Sequence, residues 1–304
     1  MADTTLEPEE TGPTQNEAPR FESLADESNQ WSVDRINIFL DAGTKWRFAE
    51  SIKSISEDTA QEYEGRTLLE LLQNGHDAME ESSPGRVRFV LELDGDVRVL
   101  YAANDGRPFT TSNFQAITEL ALSNKPAGEG IGSKGLGFRS VLQLTDSPEI
   151  YSRHPATLGD RFDGYSFRFA QPDDVLGLVG DKEVADAVVA AVSSLQLPVA
   201  VGATDATVDA LCADGFSTVV RLPLRNDAAV AEVTRQVQAL LSHDRPLLLF
   251  LRRIASVEVT VRTSTTTERT VLSRREIPCR TLDGAESWVS EVDLGPQGHF
   301  ICTA

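Results

Sequence analysis

Five glycines fall within ten residues, at positions 128, 130, 132, 135 and 137, and an apolar helical pattern begins at once over 138–144. No other stretch restricts the fold as much. Glycine lacks a Cβ, so a run of this density lets backbone N–H groups turn to one side, and a helix start adds partial positive charge. That combination suits an anion such as a phosphate. A flexible linker is the ordinary alternative, but a linker rarely ends at the first turn of an apolar helix. Two familiar phosphate motifs do not fit. Gly130, Gly132 and Gly135 satisfy G-x-G-x-x-G by spacing. Yet no strand of a β-α-β unit precedes them, and no acidic residue stands ~20 positions later. Lys134 is followed by Gly135, where a P-loop needs Ser or Thr for its metal.

Upstream, residues 66–81 read as a helix that ends at Ser82, Ser83, Pro84 and Gly85. At ~100° per residue, Glu70, Asn74 and Asp77 share one stripe, while Leu68, Leu69, Leu71, Leu72 and Met79 lie on the opposite arc. A solvated polar face explains the stripe without any ligand. The chemical reading is a carboxylate beside an amide, Glu70 orienting a water and the Asn74 oxygen ligating a hard Mg²⁺ that carries phosphates. Asn104, Asp105, Gly106, Arg107, Pro108 and Phe109 then follow a strand directly. Turn chemistry alone accounts for such a sequence.

The rest of the chain supplies the frame. Residues 1–30 hold eight acidic side chains and one basic one, with three prolines and few large apolar groups, so a disordered acidic tail is expected. Helical spacing runs over 31–64, with Val33, Ile36, Phe39 and Leu40 in phase. Runs at 87–93 and 97–102, joined by Asp94, Gly95 and Asp96, predict a hairpin. A helix is expected over 114–122, strands at 149–152, 165–169 and 216–224, a helix at 228–241, and strands at 247–251 and 256–262. Residues 171–214 read as one helix with loops, and 298–302 as the beginning of a strand. Strands and helices mix without strict alternation, which predicts an α+β, two-layer α/β sandwich. The expected boundaries are a tail at 1–30, one domain at 31–262, and the start of a following β-containing region at 263–304.

Composition narrows the function classes. A net charge of −19 argues against gripping nucleic acid through the overall field. The most apolar stretch, 185–203, is interrupted by Asp186, Ser193, Ser194, Gln196 and Pro198, too often for a membrane span. The N-terminus lacks a basic segment followed by an apolar one, so no signal peptide is expected. Cys212, Cys279 and Cys302 stand far apart and fit neither a disulfide framework nor a zinc site, which points to a reducing cytoplasm.

Taken in order, these motifs resemble a family. Glu70 to Ala78 matches E-x-x-x-N-x-x-D-A, the N-box of the GHKL superfamily (gyrase, heat-shock chaperone, histidine kinase, MutL), without a gap. Gly132 to Ser140 is similar to the G-x-x-G-x-G-F-x-S lid of the heat-shock chaperone ATPases. The stretch 216–225, with Thr218, resembles the late strand that reaches the adenine. Within the superfamily the chain looks most like the sacsin/NO VEIN-like, heat-shock-chaperone-type ATP-binding domains, through 104–109, 135–141 and 246–252 with Ile254 and Val257. The resemblance covers roughly 30–260. It implies a Bergerat (histidine kinase-like ATPase) fold, with a mixed, mostly antiparallel sheet covered by helices.

It also implies roles, residue by residue. ATP would be bound by Asn74, Asp77, Asn104, Asp105, Gly106, Gly130, Gly132, Ser133, Lys134, Gly135, Leu136, Gly137, Phe138 and Thr218. Mg²⁺ would sit on Asn74, and Glu70 would position the attacking water. One departure stands out, since relatives carry D-x-G-x-G after the second strand. With Gly106 in register, Asn104 takes the Asp place and Pro108 that of the last Gly. A neutral Asn oxygen still accepts from the adenine amino group, without charge assistance. Shifting the register puts Asp105 on the base and loses the glycine; the first register is preferred. The expected function is slow ATP hydrolysis driving a conformational switch, coupled to a second protomer or to downstream domains. The alternatives are a sensor that holds ATP or ADP without turnover and, less favoured, a histidine kinase domain. In kinases the phosphoacceptor box precedes the N-box, whereas His243 follows it here.

Overall fold

The structure is a computed structural model that describes residues 23–41, 65–118, 137–156, 159–242, 247–280, 286–295 and 298–303. Among the described residues, ten strands form one sheet in the order β10-β9-β8-β7-β1-β2-β6-β3-β4-β5. They are β1 (Gly85–Asp94), β2 (Val97–Asn104), β3 (Glu149–Ser152), β4 (Phe167–Phe169), β5 (Pro198–Ala200), β6 (Thr218–Pro223), β7 (Ile254–Thr263), β8 (Thr267–Arg280), β9 (Glu286–Asp293) and β10 (His299–Thr303). Among the described strands β1 and β7 run parallel, and the other pairs are antiparallel. With the helices this is the expected α+β arrangement. The strands β8–β10 continue the sheet from β7.

The described helices are α1 (Leu24–Leu40), α2 (Thr67–Ala78), α3 (Thr111–Thr118), α4 (Pro172–Val179), α5 (Lys182–Ala191), α6 (Ala206–Ala213) and α7 (Asp227–Leu240). Strand alternation divides their packing between two faces of the sheet. On one face Phe89, Leu91, Leu100, Ala102, Ile150, Val220, Leu222, Val257 and Val259 meet Leu68, Leu71 and Leu72 of α2 and Val233 and Val237 of α7. On the other, Val90, Val99, Tyr101, Tyr151 and Val219 meet Val208 and Leu211 of α6. The hairpin forms as expected, β1 and β2 pairing in full register around Gly95, whose φ of 59° is the left-handed conformation a tight turn requires.

Four sequence expectations need correction. An acidic tail is expected through residue 30, but α1 already starts at Leu24. Ser23 accepts a hydrogen bond from the Asp26 amide, and Asp26 and Glu27 place negative charge at the positive helix end. What holds this polar helix is tertiary: Trp31 meets Phe114 edge-on at 5.6 Å, Ser32 donates to the Pro198 carbonyl, and Asn29 accepts from the Ala200 amide. Residues 171–214 are not one helix. A Gln171–Asp174 capping box starts α4, Gly180 ends it at a φ of 71°, and Asp181 and Asp205 cap α5 and α6. At 247–249 the chain makes a tight helical turn, not a strand, and at 137–143 the expected α-helix is likewise a tight helix. Residues 42–64, 119–136 and 243–246, which include His243 and most of the glycine-rich segment, lie outside the described residues.

Candidate functional site

The α2 helix carries three of its four leucines into the core and leaves Leu69 half-buried. Leu68, Leu71 and Leu72 are buried, whereas Asn74 is exposed and Gln73 half-buried. Glu70 breaks the simple amphipathic pattern because it is buried, only 8% exposed. Its carboxylate lies against Gly137, the last glycine of the rich segment: a Cβ on that residue would stand 2.0 Å from Glu70 Oε2. No side chain fits there. Burial raises the Glu70 pKa, and the nearby Arg66 guanidinium opposes that shift.

Two more close approaches seat the helix. A Cβ on Gly75 would come 2.9 Å from Val87 Cγ2 and 3.5 Å from Asn104 Cβ, so the middle of α2 presses on the ends of β1 and β2. A Cβ on Gly106 would fall 2.7 Å from the Ala78 carbonyl oxygen, where backbone cannot yield. The 104–109 loop also closes the helix C-terminus. The Arg107 amide donates to the Ala78 carbonyl at 2.8 Å, and its guanidinium donates to the Asp77 carbonyl at 3.2 Å. Next to these, His76 Nδ1 and Asp77 Oδ1 are 3.3 Å apart and both largely buried.

Beside α2, three strand ends line up. Asn104 of β2 is in register with Thr218 of β6, and Thr218 with Ser152 of β3. By alternation all three belong to the α2 side, in phase with Ala102, Val220 and Ile150. The Thr218 and Ser152 hydroxyls are 3.4 Å apart, and Ser152 accepts from the Phe109 amide at 2.9 Å. Asn104 Oδ1 accepts from the Gly106 amide at 3.2 Å. Asp105 points elsewhere: it takes hydrogen bonds from the Arg86 amide and guanidinium at 2.6 and 2.7 Å.

The structure therefore brings Glu70 to Gly137, and Asn104 to Gly75 and Thr218. It turns Phe138 into the core against Phe169 and ties Asp105 to Arg86. Gly130, Gly132, Ser133, Lys134, Gly135 and Leu136 lie outside the described residues. Several participants went unread in the sequence. Ser217 donates to the Asn104 and Gly106 carbonyls and so fastens the loop. Ser152 does so from β3, and the Ser140 carbonyl accepts from the Thr67 hydroxyl at 3.1 Å. Arg139 is 2% exposed, and burial lowers its pKa. Ser217, Ser152 and Ser140 act through long-range contacts, for which local spacing carries no signal.

Two comparisons bear on this geometry. A family profile described as "Sacsin domain" matches residues 47–274. Protein NO VEIN of Arabidopsis thaliana is 26% identical over 214 residues, which cover 69% of this chain and 7% of that protein. The chain thus spans a small part of its relative's length.

Two outcomes test the Glu70–Gly137 contact. Gly137→Ala is expected to destabilise the protein by about 1–3 kcal/mol in urea unfolding through overpacking. Gly177→Ala, with open space around the site on α4, is expected to be neutral or stabilising. Equal effects would contradict the contact. Because the folded-state pKa of Glu70 is raised, its contribution to stability is complete below the ordinary Glu range and is lost as pH rises through the folded value. Glu70→Gln should therefore match wild type at low pH and become the more stable protein above the folded pKa, read by thermal unfolding across pH. A constant offset would contradict it.

Proposed function

Because the chain belongs to the Sacsin domain family, we propose that it binds Mg·ATP between the polar stripe of α2 and the Asn104–Thr218 row, and hydrolyses it slowly. The GHKL ATPase superfamily is consistent with that family. The observation that carries the reading is the buried Glu70 carboxylate held against Gly137, with Asn74 exposed one turn further along the same helix. A buried acid with a raised pKa, next to the end of a glycine-rich segment, suits a group that orients a water and draws its proton.

The donor set fits a magnesium nucleotide. Asn74 offers a hard amide oxygen at the open side of the helix, and it would hold Mg²⁺ there. When bound, the metal supplies neutralisation of phosphate charge. At the other end of the site, Asn104 and Thr218 would receive the adenine, Thr218 through its hydroxyl and Asn104 through its amide. Asp105 is the poorer candidate because Arg86 already holds its carboxylate. Asp77, beside His76 and near the Arg107-capped helix end, would keep the helix in place and take no part in chemistry. Gly106 would let the loop lie close to the nucleotide. The segment with Gly130, Gly132, Ser133, Lys134, Gly135 and Leu136 would cover the phosphates and close as a lid. Phosphoryl transfer needs mainly alignment and charge neutralisation, so one carboxylate, one metal and a set of amides suffice. Closure would then change docking of a second protomer or of downstream domains, in a cytoplasmic setting.

Two substitutions separate the roles. Glu70→Ala is expected to keep nucleotide affinity while single-turnover phosphate release falls by about 10²–10⁴-fold, the usual worth of a positioned acid or base. Asn74→Ala is expected to lose Mg-dependent binding, read by displacement of a fluorescent nucleotide. Wild-type binding by Asn74→Ala would sink the metal assignment. Nucleotide binding by the wild-type protein with no phosphate released in a single turnover would replace the ATPase with a sensor.

A further inference from the structure

The first turn of α2 has no cap of its own. Its N-cap position is Arg66, whose side chain makes no capping hydrogen bond, so the opening N–H groups need partners from elsewhere. The Leu68 amide finds one 168 residues away: it donates to Gln236 Oε1 on α7 at 2.9 Å. Gln236 is 5% exposed, and its amide nitrogen donates to Glu232 Oε1 at 2.8 Å. Glu232 in turn takes two hydrogen bonds from Arg235, at 2.9 and 2.7 Å. The polarity of the relay is thus fixed. Glu232 can only accept, so Gln236 must present its NH₂ to Glu232 and its oxygen to Leu68. The same helical turn is tied on another side by the Thr67 hydroxyl, which donates to the Ser140 carbonyl.

We propose that Gln236 is a positioning residue for Glu70, fixing the first turn of α2 so that the carboxylate two residues on is held against Gly137. The inference rests on the reading of Glu70 given above and deepens it. A helix end left uncapped frays within its first turn, and Glu70 lies in that turn. A fraying turn would admit water to the carboxylate and move it from Gly137. The Glu232–Arg235 pair sets the orientation of the Gln236 amide from outside the site.

The test uses Gln236→Met, which keeps the length and removes the acceptor, and the exchange Glu232→Gln with Gln236→Glu. In the exchange, the carboxylate now at position 236 would accept from both the Leu68 amide and the new side-chain amide at position 232. Single-turnover phosphate release by Gln236→Met is expected to fall by about 10- to 100-fold, the scale of a small misplacement of a reacting group. ATP affinity should change less than about twofold, since no nucleotide contact is removed. The Glu70 carboxyl titration, followed by ¹³C NMR in the nucleotide-free protein, should move down toward the ordinary Glu range. The exchange should restore both. A wild-type rate and an unmoved titration in Gln236→Met would overturn the proposal, as would an exchange that fails to recover the titration. If the wild-type protein releases no phosphate, the hydrolysis reading fails, and the carboxyl titration still decides the positioning role.

Discussion

A carboxylate taken out of water beside a residue without a side chain sets the terms for the rest of this domain. Burying Glu70 is unfavourable in itself, and its raised pKa records that cost. The arrangement persists because α2 is seated on all sides. Its leucines are buried under it, Gly75 admits the sheet at its middle, and Gly106 admits a loop at its end. The two glycine contacts leave no room for a Cβ, so the helix lies close against both strand and loop. The caps at its two ends come from distant parts of the chain, Gln236 at the start and Arg107 at the finish.

The two faces of the sheet divide the work. On the α6 face, Arg221 lies between Asp205 and Glu149, at 2.8 and 3.0 Å, while the Tyr101 and Tyr151 hydroxyls donate to Asp205 and Glu149. Burial, followed by these hydrogen bonds, pushes both tyrosine pKa values far upward. That lattice spends its donors and acceptors on itself and suits a rigid support. On the α2 face, by contrast, the strand ends carry the Asn104, Thr218 and Ser152 side chains in one row beside an exposed amide and a buried acid. This is the side where the sequence motifs converge, with Asn74 exposed beside the buried Ser152 and Thr218 hydroxyls.

How much could be read from the chain follows the range of the interactions. The hairpin, α2, α7, β6 and β7 were legible because periodicity and turn residues are local. Glu70, Asn74 and Asn104 stand out as candidates because their spacing resembles a family pattern. Leu24 to Gln30 were misassigned because α1 is held by Trp31, Ser32 and Asn29 against distant partners, and its acidic composition resembles a tail. The capped breaks at Gly180, Asp181 and Asp205 were hidden in an Ala- and Val-rich run. Ser152, Ser217 and Gln236 were invisible, since each acts through hydrogen bonds that reach across dozens of residues. Local pattern points to candidate residues; tertiary contact decides what orients them.

The claim that a nucleotide lies between α2 and the Asn104–Thr218 row is tested most directly by hydrogen–deuterium exchange, with and without saturating Mg·ATP and beside a chelator control. The account predicts metal-dependent protection in peptides covering 67–78, 104–110 and 137–143, with the strands after residue 263 unchanged. Protection confined to other regions, or none at all in a folded protein at saturating nucleotide, would contradict it.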